Sequence, residues 1–386
     1  MKVNRRIHDL VGSSTLAITA RAKELISQGK DVINFAAGEP DFDTPVFIKK
    51  AAIKAIEEGF TKYTPTVGIP PLKEAIAQKL QKDYQLSYKP SQIAVSCGAK
   101  HSVYNALQVL ADEGDCVLIP SPYWVSYPEM VKLSGAKAKI LATSLEANFK
   151  ITPAQLRANL SGSTKILILN SPSNPTGMVY TKEELEAIAG ICVERNIYVI
   201  SDEIYGKLVY DTIEFVSIAS LGEEIRDLTV IVNGVSKAYA MTGWRIGWTV
   251  GPQALIDAIN KLQDHTTSNP TSISQMAALA ALKADDTTIN AMREEFQKRR
   301  DLMIRWLNQI PEIRYVPAQG AFYIFCDVSR LGDGAVLAKR MLDQINVAVI
   351  PGEGFGSSGF IRLSFATSQE KIEEGMRRIK EWIKKG

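Results

Sequence analysis

Residues 229–247 read TVIVNGVSKAYAMTGWRIG, and this stretch decides the fold. It opens with a β-branched run, without polar alternation, that ends at Asn233-Gly234. A strand of that kind is buried on both faces, the habit of parallel sheets covered by helices. The chain then surrounds one lysine, Lys237, with Val235, Ser236, Ala238, Tyr239 and Ala240, and places Arg245 eight positions later. An amine among such neighbours is poorly solvated. Desolvation disfavours its charged form and makes it a nucleophile able to form a Schiff base. The competing reading is a lysine that snorkels to water.

Working outward, QIAVSC, CVLIP, KILILN, IYVISD and IGWTVG are further short β-rich runs. Amphipathic helices lie between them. KHSVYNALQVLADEG puts Val103, Ala106, Leu107 and Leu110 on one face, and Thr181 with Glu184 reads as a capping box before a stripe of Leu185, Ile188, Ala189 and Cys192. The alternation predicts an α/β unit over residues 46–285, a mainly parallel sheet with helices on both faces. Upstream, a helix from about Leu16 to Gln28 precedes the extended VINFAAGEPDFDTP, and Thr44-Pro45 reads as N-cap and first position of a helix closed by Gly59. Downstream, a helical pattern from Thr288 to Gln309 leads into AFYIFCDV, VAVIP and FIRLSF. A last helix follows, with Ile372, Met376, Ile379 and Ile383 on one face. That composition predicts a smaller α+β domain over 286–386, onto which residues 1–45 are expected to fold back.

With 386 residues the chain has room for two or three such units. Its net charge of +3 is too small for an electrostatic nucleic-acid platform. The four cysteines and three histidines are scattered, with no C-x-x-C pair, which fits a reducing compartment and argues against a metal site. No apolar stretch reaches ~18 residues. A cytoplasmic protein without membrane contact is expected.

Ligands of open α/β sheets bind beyond the carboxyl ends of the strands, and four such ends carry polar groups. KILILN runs into Asn170 and then Asn174-Pro175, which also suits a plain turn. IYVIS ends in Asp202 and Glu203, with Tyr205 close behind. A carboxylate there needs a cation or hydrogen-bond donors, or else serves as an N-cap. TVIVNG leads to Lys237 and Arg245. QIAVSC leads to Gly98 and a helix N-terminus, whose free N–H groups suit a phosphate.

Taken together, GVSKAYAMTGWRIG resembles the lysine-attachment signature of class I and II pyridoxal-phosphate aminotransferases. The order SPYW, NPTG, SDEIY, SK and a late RLSF is similar to that family's order across the whole chain, and GEPDFDTP and YTPTVGIPPLKEA resemble its bacterial aspartate aminotransferase subgroup. The resemblance implies fold type I of the pyridoxal-phosphate-dependent transferases, with a seven-stranded sheet. It also implies roles. Lys237 would hold pyridoxal 5'-phosphate as a Schiff base and then move the substrate proton; Asp202 would pair with the ring nitrogen. Asn174 and Tyr205 would bond the ring oxygen, and Trp124 would lie on the ring face. Gly98, Ala99, Ser236 and Arg245 would cradle the phosphate, joined by Tyr63 from a neighbouring subunit of a homodimer. Arg362 would clamp the substrate α-carboxylate, with Gly38, Trp124 and Asn174 beside it, and Lys100 would take a distal carboxylate. Gly234 stands where several relatives have serine, so one phosphate hydrogen bond is absent or comes from Ser236.

The implied activity is ping-pong amino transfer between aspartate and 2-oxoglutarate, and prephenate use would depend on the segment Gly12–Leu16. Three other readings are open. A β-lyase or cyclopropane-carboxylate-forming enzyme would share most of these residues, and a DNA-binding regulator would need a helix-turn-helix extension. Gly354-Phe-Gly356-Ser-Ser-Gly359 spells G-x-G-x-x-G, but a dinucleotide site demands a helix directly after it, and FIRLSF reads as strand.

Overall fold

The structure, a computed structural model, describes residues 4–8, 10–12 and 14–385; Ser13, within the Gly12–Leu16 segment, lies outside them. Seven strands build the larger sheet. They are β1 (Ile93–Ser96), β2 (Cys116–Ser121), β3 (Lys137–Ala142), β4 (Thr164–Asn170), β5 (Tyr198–Asp202), β6 (Thr229–Gly234) and β7 (Gly247–Val250). Their order is β1-β7-β6-β5-β4-β2-β3. β6, β5, β4, β2 and β3 pair in parallel, whereas β7 runs antiparallel to both its neighbours. The strand expected at IGWTVG is thus the one reversed member. It forms a hairpin with β6, and that hairpin's long loop carries Lys237 and Arg245. β3 has no counterpart in the residue-by-residue reading: at the sheet edge KAKILA exposes half of its residues and buries only Leu141, with lysines breaking any apolar run.

Register decides where the polar ends meet. Asn170 pairs with Asp202, Asp202 with Val232, and Gly234 with Gly247, which also pairs with Ser96. All four ends singled out above therefore lie along one rim. Helices cover the faces as their stripes require. Val103, Ala106 and Leu107 are buried on Ala99–Leu110, and Leu185, Ile188, Ala189 and Cys192 on Lys182–Glu194, which opens on the Thr181/Glu184 capping box. The valine, leucine and isoleucine side chains among these contribute roughly 1.5–3 kcal/mol each by leaving water.

A second, antiparallel sheet orders Ile350–Pro351, Phe360–Ser364, Tyr323–Asp327 and Arg314–Tyr315. Its core joins Phe35, Phe296, Phe322, Phe365 and Met376, the last from helix Gln369–Ile383. Ile33–Asn34 pairs in parallel with Val347–Ala348 in a separate two-stranded sheet. The glycines of 354–359 run from a short 3-10 turn into the strand Phe360–Ser364, with no helix after them, which removes the dinucleotide reading. Thr44 departs from expectation. Helix Val46–Glu57 has no side-chain cap; the Thr44 hydroxyl instead donates to the Ala240 carbonyl (2.6 Å) and accepts from Trp244 Nε1 (3.0 Å), pinning the lysine loop. Among the described residues no helix is long and apolar enough to cross a membrane.

Candidate active site

The rim of the larger sheet and the edge of the smaller one enclose a cavity of about 240 Å³. Gly38, Ala99, Lys100, Trp124, Asn174, Asp202, Tyr205, Ser236, Lys237, Arg245 and Arg362 all line it. Gly98 sits just behind. Tyr63 does not join: it is 92% exposed, away from the cavity of its own chain.

Lys237 enters on the hairpin loop, its Nζ donating to the Gly38 carbonyl (2.6 Å) and lying 5.8 Å from the ring centres of Tyr205 and Phe322. Burial lowers its pKa to about 8, against the attraction of Glu39 and Asp202 and with help from Arg362 and Arg245. At neutral pH an appreciable part of this amine is unprotonated, as a nucleophile requires. Asp202, at the end of β5, is buried. Its pKa is raised to about 6 by burial, opposed by hydrogen bonds from Tyr127 Oη (2.6 Å) and the Ile204 N–H and by the charge of Lys237. Tyr127 was not foreseen, since nothing in SPYWVSY marks its hydroxyl as the carboxylate's partner.

The phosphate-sized corner is built by close approach. Gly98 has φ +92° and caps helix Ala99–Leu110; an ideal Cβ on it would lie 2.5 Å from Arg245 Nη2. A Cβ on Gly247 would overlap the Ala99 nitrogen, so the hairpin butts against this helix N-terminus. Among the described residues the first-turn N–H groups of Ala99 and Lys100 donate to no partner, and the Arg245 guanidinium, tied to the carbonyls of Thr242 (2.9 Å) and Cys97 (3.2 Å), pairs with no carboxylate. An anion completes this corner. Gly234 is close-packed too: a Cβ there would stand 2.9 Å from the Ile246 carbonyl oxygen, so the hairpin as built leaves no room for a serine.

On the opposite wall Arg362 is 1% exposed, yet among the described residues no acid pairs with it. Nη1 donates to Asn174 Oδ1 (2.9 Å), Nη2 to the Ala36 carbonyl (3.0 Å), and Nε has no partner. Its planar face lies 4.2 Å from the Tyr323 ring centre. Burial lowers its pKa. A buried cation without a counter-ion is costly to keep, and the free donors suit a carboxylate. Asn170 shapes the same wall, accepting from the Asn174 N–H (2.8 Å). Lys100 stands at the mouth, 4.9 Å from the Trp124 ring centre, with its pKa lowered by partial burial and by Arg245. The donor set therefore fits pyridoxal phosphate: an amine for its aldehyde, a buried carboxylate for its ring nitrogen, and an anion cup for its phosphate.

The chain belongs to the aminotransferase class I and II family, whose family model matches residues 30–379. It is an aminotransferase of the type I pyridoxal-phosphate-dependent fold. It is similar to an aspartate aminotransferase of Bacillus sp. (strain YM-2), 50% identical over 385 residues and 98% of each chain. A probable aspartate/prephenate aminotransferase of Aquifex aeolicus is 47% identical over 381 residues, 97% of each chain. Among solved structures, the aspartate aminotransferase from Thermus thermophilus with maleate matches with a TM-score of 0.95 at 41% identity, covering 99% of both chains. None of these relatives supports the β-lyase or regulator readings.

Proposed function

We propose that this protein transfers an amino group between aspartate, or a similar dicarboxylic amino acid, and 2-oxoglutarate, using pyridoxal 5'-phosphate in a ping-pong cycle. The observation that carries the reading is the meeting in one cavity of a desolvated amine, a buried carboxylate and a buried guanidinium without a counter-ion. When bound, the cofactor supplies an aldehyde that joins amines and a protonated ring that draws electrons from the carbon losing its proton.

The residues divide the remaining work. Asp202, steadied by Tyr127, would pair with the ring nitrogen and keep it protonated. Gly98, Ala99, Ser236 and Arg245 would hold the phosphate; Asn174 and Tyr205 would hold the ring oxygen, and Trp124 would cover a ring face. Lys237 would be the amine that holds the cofactor's aldehyde and the general base that takes the proton from the substrate α-carbon. Arg362 grips the α-carboxylate through paired donors, which fixes the bond that breaks. Gly38 lies beside the substrate through its backbone. With residues 46–285 as one unit and 286–386 plus 1–45 as the other, Arg362 and Lys237 sit on opposite sides of a cleft that closes on substrate.

Lys100 is the residue placed for a distal carboxylate. Prephenate is a second acceptor to consider, because the Aquifex aeolicus relative carries that name and prephenate offers the same two carboxylates. A homodimer is the expected assembly. Val46, Phe47, Ile53 and Ile56 leave helix Val46–Glu57 with exposed apolar side chains, and Tyr63, itself exposed, would reach the neighbouring phosphate. A reducing cytoplasm suits the four free cysteines. The test is a donor and acceptor panel including prephenate, run on wild type and Lys100→Ala. Aspartate and glutamate should lose about tenfold or more in kcat/KM, with alanine spared. Equal losses for aspartate and alanine would overturn the substrate assignment.

A further inference from the structure

Tyr323 lines the cavity but has no part in the roles above. It lies on strand Tyr323–Asp327, fully buried, with its hydroxyl 3.0 Å from that of Tyr205. Among the described residues neither hydroxyl has another hydrogen-bond partner. One O–H must therefore donate to the other oxygen, and the second proton is left to point into the cavity. Which proton is free matters, because Tyr205 faces the ring oxygen of the cofactor only if its own proton is the free one.

Two features decide the direction. The Arg362 guanidinium lies against the Tyr323 ring at 4.2 Å, and a cation on a phenol's face stabilises the electron density that the phenol gains when it donates. The contact is built into the sheet: Phe325 pairs with Arg362 and Tyr323 with Ser364, so Tyr323 and Arg362 are diagonal neighbours on one face. Burial apart, the Arg362 charge is the leading influence on the acidity of Tyr323, and it makes that hydroxyl more acidic.

We propose that Tyr323 is a positioning residue for Tyr205: its hydroxyl donates to the Tyr205 oxygen and thereby commits the single Tyr205 proton to the cofactor's ring oxygen. The inference rests on the site reading given above. Hydrogen bonds in series polarise one another, so the donation from Tyr205 is stronger than an isolated phenol would make it. It also links the arginine that senses substrate carboxylate to the electronics of the ring through two hydroxyls, beside the direct bond from Arg362 to Asn174.

The test is a pH titration of the visible absorbance of cofactor-loaded protein for wild type, Tyr323→Phe, Tyr205→Phe and the double variant. Phenylalanine keeps the ring, its packing and its contact with Arg362. A hydrogen bond to the ring oxygen favours its anionic, deprotonated state, so weakening that bond raises the apparent pKa. Tyr323→Phe should raise it by roughly half a pH unit, and Tyr205→Phe by more. The double variant should match Tyr205→Phe alone, because Tyr323 acts only through Tyr205. Binding of a dicarboxylate inhibitor should stay within about twofold in Tyr323→Phe, since the contact with Arg362 remains. No shift in Tyr323→Phe, or the same shift with and without the Tyr205 hydroxyl, overturns the proposal. A visible band that survives Lys237→Ala would instead overturn the reading of the site on which it stands.

Discussion

Replacing Arg362 by leucine tests the substrate wall most directly. The guanidinium has five N–H donors, of which Asn174 Oδ1 and the Ala36 carbonyl engage one each, while Nε engages none. Enough donors remain for a carboxylate to be held by two. Hydrogen bonds to charged groups contribute about 1.5–3 kcal/mol each, so the pair amounts to about 3–6 kcal/mol, or about 10²–10⁴-fold in kcat/KM. Folding should suffer much less. Leucine leaves two acceptors unpaired, at about 1–3 kcal/mol each, but it also removes a buried charge that no acid compensates. The assay is steady-state kcat and KM for aspartate, glutamate and alanine, with the melting temperature of each protein measured alongside. All three donors should fall together, because each carries an α-carboxylate. A loss under tenfold, or one confined to dicarboxylates, would refute this use of Arg362.

Borohydride reduction of cofactor-supplied protein should label Lys237 alone, and Lys237→Ala should lower amino transfer by about 10⁴-fold or more; labelling of another lysine would remove the central amine. Gly247→Ala places a Cβ 2.5 Å from the Gly98 carbonyl carbon. Overpacking against backbone costs about 1–3 kcal/mol, so equilibrium dialysis should find cofactor affinity about tenfold weaker, and unchanged affinity would contradict the cup. Glu203 is buried beside Asp202, and burial raises its pKa to about 7, against hydrogen bonds from Ser217 and Ser201. Between pH 4.5 and 7 the folded chain therefore binds more protons there than the unfolded chain, and that share of stability falls as pH rises. Urea denaturation of the apoprotein should show wild type losing on the order of 3 kcal/mol relative to Glu203→Gln across this interval, and a constant difference would refute it.

The sheet and most of the site were legible because their signals are local. Apolar runs without alternation announced buried strands, and the polar groups that ended them marked the rim. Lys237, Asp202 and Asn174 were visible as polar residues out of place. Arg362 drew notice through the resemblance, and its burial without a counter-ion had no local sign. Tyr127 and Tyr323 escaped because an aromatic in an apolar stretch reads as core, and their hydroxyls find partners 75 and 118 residues away. β3 escaped because an edge strand with exposed lysines lacks an apolar run. Thr44-Pro45 misled for a physical reason: the hydroxyl had a stronger claim on it from the Ala240 carbonyl and the Trp244 indole.

β1 has one neighbour in its sheet, and that neighbour is β7, more than 150 positions further along the chain. During synthesis the segment leading into Gly98 must wait, unpaired at its edge, until residue 250 has emerged. When the reversed strand slots in, it zips to β1 and β6 at once and carries the lysine and arginine loop against the waiting helix end. The last stitch of the sheet and the assembly of the cofactor cup are thus a single event, and a chain truncated before that strand would have neither.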